Sequence, residues 1–174
     1  MNPIHPDLAP LARVAKTFGK AFGTTGGADQ AELTAALREA VGKRTNWLGR
    51  EHRVGDPARY MRHLLYVDPD DEFVITAITW LPGQRSTVHG HYVWCAYGVV
   101  EGDLTEETFR APGDLLEELG TRTVRAGEVA EFDPGGPIYH RVANHTRKPL
   151  VSLHVYGVAA DYLTTGINRI YAEA

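Results

Sequence analysis

From Tyr60 onward the chain is a succession of short β-branched and aromatic runs with no helical stretch between them. They read YMRHLLYV, EFVITAITWL, WCAYGVVEGDLTEETF, TRTVRAGEVAEF and PLVSLHVYGV, punctuated by PDDE, PGQ, APGD, DPGG and RKP. Many short strands with turn signals and no intervening helices predict a sandwich or a closed antiparallel barrel. Residues 1–55 have a different texture, with apolar side chains at helical spacing. One helix is expected from Pro6 to Phe18, with Leu8, Leu11, Val14 and Ala15 on one face. A second is expected to start at Asp29, which stands before Glu32 as in a capping box. Its stripe is Leu33, Ala36, Leu37, Ala40 and Val41, and Gly42 can end it. GTTGGAD at 23–29 reads as a turn or loop, and 161–174 suits either a strand or a short helix. At 174 residues the expectation is one domain, a helical segment over 1–55 and a β-barrel over 56–174.

Composition excludes several classes of function. With 43% hydrophobic and 23% charged residues the chain reads as an ordinary globular protein. Its net charge of −4 is spread without a long run of either sign, which argues against nucleic acid or an anionic membrane as partner. No apolar stretch approaches the roughly 18 residues of a membrane-spanning helix. MNPIHPDLAP lacks the basic-then-apolar pattern of a signal peptide. The single cysteine, Cys95, cannot form an internal disulfide, so a reducing cytoplasm is the expected location. No obligatory protein partner is evident.

Two histidine clusters carry the chemistry. Gly83-x5-His89-x-His91-x3-Cys95-x6-Gly102 follows a PGQ turn. Histidines one residue apart on a strand share a face, so both imidazoles can grip one ion. A second cluster runs from Gly127 through Pro134 and Gly136 to His140 and Asn144. His140, from a distant strand, would complete a facial triad whose open positions can take O2 and a substrate together. His5, His52, His63 and His145 have no such partnering and read as surface or packing residues.

These spacings resemble the cupin superfamily, a double-stranded β-helix or jelly-roll barrel. The first cupin motif is matched at every spacing, but Cys95 stands where most cupins have a ligating glutamate. The second motif has one extra residue between Gly127 and Pro134. Without the glutamate the implied ligand set is three neutral histidines, which leaves the charge of a bound Fe(II) available to an anionic thiolate.

Ser152, His154 and Tyr156 alternate along SLHVYG and would share one strand face. They read either as a serine–imidazole–phenol proton relay or as the polar outer face of a strand. Arg62 and Tyr60 would also share a face, and a guanidinium suits a substrate carboxylate in a two-pronged pair. Arg62 can equally be a surface arginine, and Tyr60 a pocket wall or core residue. Trp80 reads as core, and Trp94 as core or as a wall of the metal pocket.

Taken together, YMR at 60–62, HGH at 89–91, EGDLTEETF at 101–109, HRVAN at 140–144 and SLHVYG at 152–157 resemble the cysteine dioxygenase family of thiol dioxygenases. The resemblance implies an iron-dependent enzyme that turns a thiol into a sulfinate with O2. It implies one Fe(II) per chain on His89, His91 and His140, an outer relay of Ser152, His154 and Tyr156, and a carboxylate clamp at Arg62. Animal members carry a cysteine joined to the relay tyrosine by a thioether, and with a one-residue gap Cys95 falls on it. Parity of spacing puts Cys95 on the same strand face as His89 and His91. HYVWCAYG looks more like a bacterial branch that includes 3-mercaptopropionate dioxygenases, which typically have glutamine in place of the arginine. Arg62 therefore favours L-cysteine as the small-molecule thiol. The same chemistry on 3-mercaptopropionate or mercaptosuccinate stays open, as do a non-catalytic metal-binding cupin sensor and a cupin isomerase.

Overall fold

The computed structural model describes residues 4–22, 30–42, 45–112, 115–132 and 136–171. Asp29, the 23–29 turn, residues 113–114 and Pro134 lie outside them. Two helices, α1 (Ala9–Ala21) and α2 (Gln30–Gly42), precede the strands. In chain order the strands are β1 (Met61–Val67), β2 (Val74–Trp80), β3 (His89–His91), β4 (Cys95–Glu101) and β5 (Asp103–Arg110). They continue with β6 (Glu117–Arg125), β7 (Val129–Phe132), β8 (Ile138–Ala143), β9 (Leu150–Tyr156) and β10 (Asn168–Ile170).

One five-stranded sheet has the order β1-β2-β9-β4-β7 and the other β10-β3-β8-β5-β6, every ladder being antiparallel. Ile78, Trp80, Tyr97 and Val99 from the first sheet pack against Leu104, Val124 and Val142 from the second, so a core lies between them. This mainly β architecture with an N-terminal helical segment is the cupin jelly roll.

Two of the runs read as single units in the sequence are each two strands. WCAYGVVEGDLTEETF breaks at Gly102, where the chain leaves β4 in one sheet and enters β5 in the other. Its φ of +83° suits glycine, and a Cβ there would lie 2.8 Å from that of Leu150. TRTVRAGEVAEF breaks at Gly127, φ +87°, between β6 and β7. Of the 161–174 stretch, a 3-10 turn at Ala160–Tyr162 and the short strand β10 cover part.

The first helix opens as a 3-10 turn at Pro6–Leu8 and continues as α1 three residues beyond Phe18. The imidazole Nδ1 of His5 accepts from the Asp7 amide at 3.2 Å and caps its start. Leu11, Ala15 and Phe18 of α1 join Leu33, Leu37 and Val41 of α2 in one cluster with Ile75, Ala96, Leu153 and Val155 of the first sheet. That sheet is therefore covered on both faces, which is why every residue of β2 and β9 is buried and their apolar runs barely alternate. Trp94 belongs to this outer cluster, its ring edge-on to Phe18 at 5.1 Å, and so does not wall the metal pocket. Lys16 ties α1 to the β1–β2 turn, its Nζ lying 2.6 Å from Asp68, 2.6 Å from Asp70 and 3.0 Å from Glu72.

Candidate metal centre and active site

β3 points the side chains of His89 and His91 to one face, and β8 sets His140 directly opposite His89 in the register. The ring centroids lie 4.5 Å (His89–His140), 5.1 Å (His91–His140) and 5.1 Å (His89–His91) apart. All three residues are buried, and each offers a ligand atom within 4.8 Å of the others, a group that can hold a metal ion.

Hydrogen bonds select the tautomers. His89 Nδ1 lies 2.9 Å from the Thr87 carbonyl, and His140 Nδ1 lies 3.0 Å from Glu106 Oε1. Both partners only accept, so each Nδ1 donates and each Nε2 is the nitrogen left to face an ion. His140 Nε2 faces His91 Nε2 at 3.4 Å, a separation that one cation bound at about 2.1 Å from each nitrogen would span. Burial, then the neighbouring His140, pushes the His89 pKa down to about 3 and the His91 pKa down to about 2. Three imidazoles converging in a buried pocket are a donor set that fits Fe(II).

Opposite the histidines, β9 carries Ser152, His154 and Tyr156, all buried, with His154 and Tyr156 lining the cavity and Ser152 packed behind them. Ser152 Oγ lies 2.8 Å from His154 Nε2, and His154 Nδ1 lies 2.9 Å from the Tyr156 hydroxyl. Trp80 Nε1 donates to Ser152 Oγ at 2.9 Å. With the indole donating to it, the buried serine has His154 Nε2 as the outlet for its own proton. That places the imidazole proton on Nδ1, where it donates to the Tyr156 oxygen and leaves the phenol's proton free to point into the cavity. Burial and the Arg62 charge push His154 well below its ordinary range, and burial pushes Tyr156 well above its own, so both are neutral.

Arg62, on β1, and Tyr60, just before it, complete the wall. The guanidinium carbon sits 5.5 Å from the centre of the Tyr60 ring, which packs on Trp80 at 4.4 Å. Arg62 also interacts with the Tyr156 phenol, and its Nε is buried without a hydrogen-bond partner. These side chains surround a small cavity of about 20 Å³. His5, His52, His63 and His145 do not line it.

Cys95 also lines this cavity, but not by the expected route. The chain leaves β3 after His91 and starts β4 in the opposite sheet at Cys95. Even spacing therefore does not put Cys95 beside the histidines, because no single strand connects them. It faces them from the Tyr156 side, a direct register partner of that tyrosine. Burial, then the Glu106 charge, raises its thiol pKa far above the ordinary value.

The cysteine dioxygenase type I family model matches residues 24–164. The chain belongs to the cysteine dioxygenase type I family. Members of this family are dioxygenases, and the match spans every strand from β1 to β9. Among solved structures, a Thermus thermophilus protein superposes with a TM-score of 0.51 at 19% identity, covering 67% of this chain and 95% of its own. An uncharacterized conserved protein with a double-stranded β-helix domain from Klebsiella pneumoniae subsp. pneumoniae reaches 0.49 at 19% identity, covering 63% and 86%. At this identity the first likeness speaks for the fold alone.

Glu106 is the site residue that motif reading passed over. It is buried, accepts from His140, and accepts from Arg122 Nε at 2.6 Å. Burial works to raise its pKa, but the His140 hydrogen bond and the Arg122 charge outweigh it and hold the carboxyl below its ordinary value. Alternation along DLTEETF, with Leu104 and Glu106 on one face, was the available signal.

Proposed function

We propose that this protein is a non-haem Fe(II) thiol dioxygenase that converts L-cysteine, a small carboxylate-bearing thiol, to its sulfinate. The observation that carries the reading is that His89, His91 and His140 share one small cavity with Arg62, His154 and Tyr156, with Ser152 hydrogen-bonded to His154 behind them. A passive metal-binding sensor has no need of a hydrogen-bonded relay ending at a metal pocket, so the relay favours catalysis; oxygen uptake separates a dioxygenase from an isomerase.

The chemistry that a bound Fe(II) supplies is to bring a thiolate sulfur and O2 together at one centre with open positions. The protein residues do the rest. Arg62, whose buried Nε lacks a partner, is the group to receive the substrate carboxylate. Tyr156 accepts from His154 and can donate its proton toward the reacting end of the substrate. The walls from Tyr60, Trp80 and Val142 exclude water. In the balanced reaction RS⁻ and O2 give RSO2⁻: both oxygens end on sulfur, which loses the electrons that O2 gains.

The proposed partner is thus a small-molecule thiol, with neither nucleic acid nor membrane, in the cytoplasm. Among the described residues no helix is long and apolar enough to cross a membrane. Metal analysis combined with oxygen uptake over a panel of thiols tests the reading. Iron near one per chain and sulfinate formation from cysteine are expected. Fast turnover of 3-mercaptopropionate or mercaptosuccinate with slow turnover of cysteine would change the substrate, and no oxygen uptake with any thiol would overturn the enzyme.

A further inference from the structure

The three metal-site histidines do not have equivalent supports. His89 donates its Nδ1 proton to a neutral backbone carbonyl. His140 donates its own to a carboxylate, Glu106, at 3.0 Å. Glu106 is only 1% exposed, so water does not screen this contact. Its second oxygen is held by Arg122, its direct partner in the β5–β6 ladder, with Nε at 2.6 Å. Tyr97, which also interacts with Glu106, stacks on His154 at 5.2 Å, so the carboxylate adjoins the relay as well. A buried anion fixed on two sides and bonded to one ligand raises that ligand's basicity and adds negative charge near the metal.

We propose that Glu106, anchored by Arg122, is a positioning residue that holds His140 as an Nε2 ligand and favours the ferric over the ferrous state of the bound iron. The histidine set is neutral, and Glu106 supplies the charge that the ligating glutamate of other cupins would have supplied, one atom shell further out. The effect is to make the site easier to oxidise while leaving its coordination positions open. The inference rests on the reading of the three histidines as an iron site.

The test uses full-length protein loaded anaerobically with Fe(II). Glu106→Gln keeps the shape and an acceptor for His140 but removes the charge. It is expected to keep its iron stoichiometry and to raise the Fe(III)/Fe(II) midpoint potential in a mediated redox titration. Ferric iron should lose about tenfold more affinity than ferrous iron, which is about 59 mV for a one-electron couple. Glu106→Ala removes the acceptor too, and its Fe(II) affinity, measured by chelator competition, should fall about 10–100-fold. Circular dichroism checks that both variants fold, which Arg122 should allow because its side chain is 57% exposed. A Glu106→Gln potential equal to that of the unaltered protein overturns the proposal alone. Unaltered protein that takes up no Fe(II) overturns the iron site, and the proposal with it.

Discussion

Cys95 and Tyr156 face each other across the β4–β9 ladder, and both line the metal-site cavity. Directly opposed residues on one face of an antiparallel pair have their Cβ atoms about 4.5–5.5 Å apart, close enough for the side chains to meet. With iron and O2 as oxidant, loss of the thiol hydrogen and one ring hydrogen would join sulfur to the phenol ring. We expect a fraction of the protein to become about 2 Da lighter as turnovers accumulate, and Cys95 in that fraction to resist alkylation after denaturation. Cys95→Ser should abolish the lighter species. Full mass and complete alkylation after many turnovers would leave Cys95 as a packed free thiol.

The relay has a direction, set by Trp80. Tyr156→Phe removes the terminal proton donor and should lower kcat by about 10²–10⁴-fold with iron content unchanged. Trp80→Phe removes only the indole donor, so Ser152 can reverse its bond to His154; a smaller fall in kcat is expected. Burial holds His154 neutral well below its usual range and Tyr156 neutral well above its own. The kcat–pH profile should therefore show no inflection from the relay near the ordinary histidine value of about 6.5. An inflection there that disappears in His154→Gln would contradict a neutral relay.

Arg62 discriminates by charge. Cysteine should be oxidised far faster than cysteamine, which has the thiol and amine but no carboxylate. Arg62→Ala should cost about 2–5 kcal/mol in kcat/KM for cysteine, the range for breaking a desolvated charge pair. It should change little for cysteamine. Steady-state oxygen uptake measures both, and equal rates on the two thiols with unaltered protein would remove the clamp.

Lys16 fastens the helical segment to the barrel through Asp68, Asp70 and Glu72. The Lys16 hydrogen bond and charge hold the Asp70 carboxyl below its ordinary pKa. A depressed carboxyl contributes stability that is fully present above its unfolded pKa and is lost as pH falls through the folded one. Lys16→Met should therefore lower Tm at neutral pH, and the gap to the unaltered protein should close below about pH 4. Thermal melts across that range decide it; a gap that persists in acid would mean that the loss is one of packing.

The shared face of His89 and His91 and that of Ser152, His154 and Tyr156 were legible because each depends on spacing within one short segment, whereas the meeting of His140 and Arg62 with them depends on the ladders. His89 and His91 are two apart on β3, and Ser152, His154 and Tyr156 are two apart on β9, so a common face follows from backbone geometry alone. The apolar stripes of α1 and α2 were legible for the same reason, at the helical period. Which core Trp94 joins was not: its place under Phe18 depends on where α1 docks. Nor was Glu106, whose role comes from three strands meeting at one carboxylate.

What the chain alone determined, then, is local: strand and helix periodicity, turn positions, and which side chains leave a segment together. Which segments meet was decided by the ladders and by the sheet crossings at Gly102 and Gly127, where long-range pairing and burial set the register. Cys95 shows the difference. Even spacing joined it to the histidines, yet the chain changes sheets after His91, and the tertiary structure set it against Tyr156. Parity along a chain carries information only while a single strand continues.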